Sequence, residues 1–367
     1  MRHRVAPIAF MALGGGQTIG NSCYALGLGG LCGTQVLLDC GASRRGGGWM
    51  EPAFSAWHAA VQSAGRTAEA AQLFVSHAHL DHARLVPQLA EQHPAMDVYM
   101  TEVTRAFLAM QSGGPPLRAQ TVSYGQRLRF ADYEASFWPA GHIVGAMMTL
   151  LSFGGRKILY TGDYSCLSTP WAEACALPDV PIDVLILCAV HAVHPHHGMP
   201  VGLRGLYRAM REAIGDGQSV YARCRQLSKG SELLRYLRSS DVLRDVPIYL
   251  DPRMMATVEA LEALGIPVLS AHDYPLAAWQ GQQPCIVLGT KEASGRFASF
   301  VHVEGDQFSL HDDFEQTAAF IRRVAPKLAV IVHCVPSAQE TVASVLEREA
   351  DCRTQFLFPV DGELYEL

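Results

Sequence analysis

The chain has 367 residues, 49% of them hydrophobic and 17% charged, which is enough for one large domain or two moderate ones and excludes a disordered or low-complexity chain. A formal charge of −6 excludes recognition of nucleic acid by bulk positive charge, though not by a local basic strip or bound cations. The ten cysteines form no CxxC pair and read as thiols of a reducing, cytoplasmic compartment, and no apolar run approaches the roughly 20 residues that cross a bilayer.

In chain order, Met1-Arg-His-Arg followed by the apolar run Val5 to Leu13 has the outline of a short signal peptide. With no clear cleavage site after it, the run is read as a first strand ending at Gly14-Gly15-Gly16. Gln35 to Asp39 reads as a strand ending in an acid, and Leu73 to Ser76 as a buried strand feeding a His-rich loop. Ala83 to Gln92 is helix-like, Tyr124 to Trp138 reads as paired strands, and Lys157 to Tyr160 and Val184 to Leu187 read as further strands. The middle changes character. Helices are expected at Leu203 to Ile214, Gly230 to Ser239 and Met254 to Leu264, and strands at Ser219 to Ala222, Pro247 to Leu250 and Pro267 to Leu269. That βαβ rhythm implies a parallel sheet with covering helices. The end returns to the first pattern: helix Phe314 to Val324, strand Leu328 to Val332, helix Ala338 to Ala350 and strand Thr354 to Phe358.

The sharpest chemical signal is His77-Ala78-His79-Leu80-Asp81-His82, four potential ligands within six residues just after a hydrophobic strand. A lone histidine is usually a core or surface residue. Four donors in the HxHxDH spacing are a metal loop, because alternate side chains can converge on one ion while the next pair turns to a second, and imidazole with carboxylate suits zinc. His142, after Ala140-Gly141, and Asp163, after Tyr160-Thr161-Gly162, stand at the ends of two other expected strands and complete a site with it.

Together with Gly14 to Gly20, Leu38 to Gly41, Gly141 to Gly145, Leu159 to Ser165, Ser309 to Asp313 and Ile331 to His333, these motifs resemble the successive motifs of the metallo-β-lactamase superfamily. Within it they resemble the β-CASP nucleases, the group that includes ribonuclease J and the messenger-RNA 3′-end cleavage endonuclease. The resemblance implies an α/β fold, a metallo-β-lactamase αββα sandwich at 1–183 and 310–367 with a shortened β-CASP-like α/β cap inserted at 184–309. It implies that His77, His79 and His142 hold one metal, that Asp81, His82 and His333 hold another, and that Asp163 bridges them. Two Zn2+ are expected, with Mn2+ or Fe as alternatives.

The resemblance further implies that Asp39 orients the ligands from behind and that His311 protonates the leaving oxygen, so Asp81 and His311 are the catalytic candidates. Two neighbouring divalent ions lower the pKa of a shared water and neutralise phosphoryl charge. The resemblance implies a ribonuclease, an endonuclease in the first instance, leaving a 3′-hydroxyl and a 5′-phosphate. Single-stranded RNA is the expected partner, with a homodimer or protein partner at the short cap and no membrane. The alternatives are a metallohydrolase acting on DNA or a small phosphodiester, and a non-catalytic scaffold.

Three departures from the family pattern stand out. Cys188 occupies the position of an acid that supports the His311-type residue, leaving Asp312 or Asp313 as substitutes. The family's Gly-Arg-x-Gln-Glu stretch is Ser228-Lys229-Gly230-Ser231-Glu232, with Lys229 as the candidate substrate-phosphate contact. The insertion is short. The run His191 to His197 is read as a cleft-lining loop before a third metal site, and Arg204, Arg208, Arg211, Arg223 and Arg225 as either a basic strip or a solvated face.

Overall fold

The computed structural model describes residues 6–66, 72–113, 117–190, 199–225, 227–348 and 353–367, so the His191 to His197 run lies outside the described residues. Two seven-stranded sheets face each other. The first runs, in spatial order, Leu364–Glu366, Ile8–Gly14, Cys23–Leu28, Thr34–Leu38, Gln72–Phe74, Asp97–Thr101 and Gln120–Val122. The second runs Gln355–Leu357, Leu328–Val332, Val184–Cys188, Arg156–Tyr160, Met147–Phe153, Glu134–Pro139 and Arg127–Arg129. Each sheet is antiparallel on one side and parallel on the other.

Alternation along the strands explains the layering. Phe10, Tyr24, Leu26, Val36, Leu38 and Phe74 point from the first sheet into one buried cluster with Phe137, Met147, Leu151, Ile158, Tyr160, Ile186 and Val330 of the second. The opposite faces are packed by helices, among them Phe54–Ser63, Glu102–Ser112, Phe314–Val324 and Pro336–Leu346. Val184–Cys188 is buried at every position, as a central parallel strand covered on both faces must be. It pairs with Arg156–Tyr160 and Leu328–Val332, so the expected start of the insertion at residue 184 falls on a strand of the sandwich.

The third sheet has five parallel strands in the order Asp273–Pro275, Ile248–Leu250, Ile286–Gly289, Val220–Arg223 and Val301–Glu304, with helix Met199–Gly215 ahead of them in sequence and helices Lys229–Arg238 and Pro252–Glu262 between them. The strand expected at Pro267 to Leu269 does not form. The Val268 and Leu269 N–H groups donate to the Glu262 carboxylate, which folds this stretch back on the preceding helix, and the edge strand starts at Asp273. The expected helix Ala83 to Gln92 is two short helices, Leu80–Ala83 and Val86–Gln92. Between them the Leu85 N–H is drawn out to the Cys40 carbonyl, and Pro87 starts the second segment.

Arg223 and Arg225 pair with Glu304 and Asp306, so the cap's candidate basic strip loses these two cations to ion pairs, and Arg204, Arg208 and Arg211 lie exposed on the Met199–Gly215 helix. A latch joins this layer to the sandwich. Glu232, fully buried, accepts from the Thr169 hydroxyl at 2.9 Å and the Trp171 N–H at 3.0 Å. The Trp171 indole donates to the Ser231 carbonyl, and Arg235 stacks on its ring at 4.6 Å.

Candidate metal centre

Every candidate ligand except those of the 77–82 loop follows directly on the C-terminal end of a strand, the end at which open α/β sheets place their ligands. His142 follows Glu134–Pro139, Asp163 follows Arg156–Tyr160, and His333 follows Leu328–Val332. The 77–82 loop follows Gln72–Phe74. Two of these turns hold non-glycine residues in the left-handed region, Asp39 at φ 59° and His333 at φ 56°. Such strain persists only where surrounding contacts fix it. Here the His333 N–H is held by the Gly15 carbonyl at 2.6 Å, and Asp39 is buried among four hydrogen bonds.

The structure brings all seven candidate ligands together. His77, His79, His142 and Asp163 form one group, and Asp81, His82 and His333 a second, with donor atoms within 4.8 Å of one another in each. His79 Nδ1 lies 3.1 Å from His77 Nε2 and 3.0 Å from His142 Nε2, and Asp163 Oδ2 is 3.7 Å from both of those Nε2 atoms. On the other side, Asp163 Oδ1 is 3.3 Å from His82 Nε2 and 3.9 Å from His333 Nε2, which is 3.6 Å from Asp81 Oδ2. Four ligands set tetrahedrally at about 2.1 Å from one ion would stand about 3.4 Å apart, so these spacings fit two ions sharing Asp163. His82 Nε2 and Asp163 Oδ1 are buried without a hydrogen-bond partner, and two such donor atoms side by side suit a shared cation.

The opposite nitrogen of each ring is held, which is what turns the free one inward. His77 Nδ1 faces the Ser76 hydroxyl, His82 Nδ1 the Asp39 carboxylate at 2.7 Å, and His333 Nδ1 the Ser22 hydroxyl. His142 Nδ1 reaches the Leu310 carbonyl at 2.9 Å and His79 Nε2 the Leu227 carbonyl at 3.3 Å. The Ser76 hydroxyl also donates to Asp39 Oδ2, so it accepts from His77 and fixes that ring's tautomer. Ser22, Ser76, Leu227, Leu310 and Tyr160, the last donating to Asp39 at 2.6 Å, have no signature of their own in the sequence. Only their position beside a recognisable ligand motif could have suggested the first two.

Burial depresses the pKa of His77, His79 and His333 and pushes that of His142 down to about 3, leaving the neutral rings that metals require. Burial also opposes a charge on His82, but Asp163 and Asp39 outweigh it and raise its pKa. Asp163, although buried, is held well below the carboxylate range by His82, His333 and His311. His77, His79, His142 and His333 are thus neutral rings around a charged Asp163 carboxylate, a setting that attracts positive charge.

His311 stands at the rim. Its ring packs on His142 at 4.4 Å, its Nδ1 is 3.7 Å from Asp163 Oδ2, and its side chain is 19% exposed where His77, His82, His142 and His333 are closed off. Asp312 accepts from the Cys166 N–H at 2.8 Å and Asp313 caps the Phe314–Val324 helix, so both carboxylates have work elsewhere. Cys188 is buried against Tyr160. Lys229 opens the Lys229–Arg238 helix, buried, with its ammonium donating to the Asp306 carbonyl at 3.2 Å and lying 5.3 Å from the Phe308 ring centre.

Residues 34–210 match the model of the beta-lactamase superfamily domain. The chain has the metallo-β-lactamase fold and resembles the β-CASP nucleases. It is 24% identical to cleavage and polyadenylation specificity factor 73 of Drosophila melanogaster, over 94% of this chain and 63% of that protein. It is 29% identical to an RNase J-like protein of Methanocaldococcus jannaschii, over 65% of this chain and 57% of that protein. It is 26% identical to the endoribonuclease ysh-1 of Neurospora crassa, over 63% of this chain and 29% of that protein. The chain therefore spans less than two thirds of the length of these relatives. A solved structure of a protein of unknown function from Enterococcus faecalis V583 superposes over 99% of this chain with a TM-score of 0.69 at 14% identity. The cluster can hold metal ions, and among the described residues no helix is long and apolar enough to cross a membrane.

Proposed function

We propose that the chain is a two-zinc phosphodiesterase that cuts single-stranded RNA internally and leaves a 3′-hydroxyl and a 5′-phosphate. The observation that carries this reading is the pair of donor groups sharing Asp163 with His311 beside them. His77, His79, His142 and Asp163 would hold one ion, and Asp81, His82, His333 and Asp163 the other. Bound there, the ions supply Lewis acidity and water activation at neutral pH. Asp39 holds His82 in register through its 2.7 Å hydrogen bond. His311 lies 3.7 Å from Asp163 Oδ2 and is open enough to meet a substrate, so it suits the proton delivery a departing ribose oxygen needs. Lys229 would meet a phosphate only by leaving the Asp306 carbonyl, and its neighbour Leu227 already touches His79.

The insertion under this reading begins after Cys188 and ends near residue 309, and its 227–229 turn closes one side of the cleft. The names of the relatives, two of which denote RNA cleavage, support RNA as substrate. Cys188 in place of the expected acid supports a second reading, a hydrolase of DNA or small phosphodiesters with a less constrained His311. Labelled single-stranded RNA and DNA, incubated with zinc-loaded protein, separate the two. RNA should be cut with 3′-hydroxyl ends, and Asp81→Ala combined with His82→Ala should abolish cutting in a folded chain. Preferential cutting of DNA would replace the first reading by the second.

A further inference from the structure

Immediately beside the second donor group stands a two-stranded hairpin, Ser43–Arg45 paired with Gly48–Met50 across a Gly46-Gly47 tip. It is tied to the metal loop. The Ala42 N–H donates to the Leu80 carbonyl at 3.1 Å and the Cys40 N–H to the His82 carbonyl at 2.8 Å. A side-chain carbon on Gly20 would sit 2.8 Å from Ser43 Cβ and 3.5 Å from Asp81 Cβ, so the hairpin base and Asp81 flank the same backbone. Arg84, two residues after His82, lies with its guanidinium carbon 3.6 Å from the centre of the Trp49 ring, and that of Arg44 lies 5.2 Å from it. Arg44, Arg45, Trp49 and Arg84 are all exposed.

These arginines differ from five others on the surface. Arg105, Arg127, Arg129, Arg223 and Arg225 each meet a carboxylate, whereas among the described residues no carboxylate pairs with Arg44, Arg45 or Arg84. Three uncompensated cations on a chain of net charge −6 form a local positive rim. Contact with the Trp49 ring restricts the two guanidinium groups, and a planar fork of donors fits a phosphate with two hydrogen bonds. Trp49 is occupied by the arginines, so its part is to position them.

We propose that this hairpin and Arg84 form a clamp for the sugar-phosphate backbone of single-stranded RNA, holding the strand on the Asp81 side of the metal centre. The proposal rests on the nuclease reading for its ligand, but the two fail separately. The test uses the zinc-loaded full chain and a fluorescein-labelled phosphorothioate RNA strand, with anisotropy read over a salt series. Each lost phosphate contact on a single strand should flatten the plot of log affinity against log salt by roughly 0.7. Changing Arg44, Arg45 and Arg84 together to alanine should therefore lower the slope by about 2 and weaken binding at least tenfold at low salt, with zinc content unchanged. Trp49→Ala should flatten the slope in part, and Trp49→Phe, which keeps an aromatic face, should restore it. A triple variant with wild-type affinity and slope overturns the clamp, whatever the cleavage assay gives. A wild-type chain that binds the strand with the expected slope but cuts no RNA removes the nuclease reading and leaves the clamp standing.

Discussion

Replacing Glu232 by Gln should make the chain more stable at alkaline pH and change little in acid. Glu232 sits with no solvent exposure in the latch between the Lys229–Arg238 helix and the 169–172 loop, and burial, outweighing its bonds from Thr169 and Trp171, raises its carboxyl from an ordinary 4.5 to about 8. The folded pKa lies above the unfolded one, so the favourable contribution is complete below pH 4.5 and is lost as pH rises to about 8. At about 1.4 kcal/mol per unit, the loss reaches at most about 5 kcal/mol. Gln keeps the shape, its carbonyl accepting from the Trp171 N–H and its amide donating to the Thr169 oxygen, and it carries no charge to desolvate. Urea unfolding followed by tryptophan fluorescence across this pH range gives the difference between variant and wild type, in which all other ionisable groups cancel. That difference should grow with pH to several kcal/mol in favour of Gln. A difference that stays flat, or that turns in favour of Glu as pH rises, would refute a buried carboxyl held in its protonated form.

Three other outcomes are expected. Gly41→Ala would put a methyl group 1.7 Å from the Asp81 carbonyl oxygen, so it should lose metal by elemental analysis and lower stability by more than about 3 kcal/mol. Chelation should lower the melting temperature reversibly, because it returns His82 Nε2 and Asp163 Oδ1 to their orphaned state. Re-adding zinc to about a thousandfold excess over its Kd should restore about 4 kcal/mol per site, or about 8 kcal/mol with two ions bound per chain. His311→Ala should slow RNA cleavage by roughly 10²- to 10⁴-fold with metal content unchanged, and loss of metal in that variant would make His311 a ligand instead of a proton donor.

The candidate site was far more legible than its support. HxHxDH is a contiguous word, Asp163 and His333 each end a run rich in buried β-branched and leucine residues that reads as a strand, and His142 follows a strand marked by Phe137 and Trp138. What holds these rings is spread over the chain and carried partly by backbone. The Leu227 and Leu310 carbonyls could not be seen in any side-chain pattern, because every residue has one. The Trp49 hairpin was missed for a related reason: its strands are three residues long and exposed, so they show no alternation to read. In the insertion the βαβ rhythm was visible, but the Pro267 to Leu269 stretch had the apolar residues of a strand, and only the Glu262 carboxylate explains why it is not one.

The last donor of the second group, His333, comes 251 positions after its partner His82, and its strand pairs with Val184–Cys188 in the middle of the second sheet. A growing polypeptide on the ribosome therefore has the HxHxDH loop long before it can close the pocket around a second ion. Synthesis itself delays assembly of the full centre, so that an enzyme of the proposed kind stays incomplete until His333 has left the ribosome.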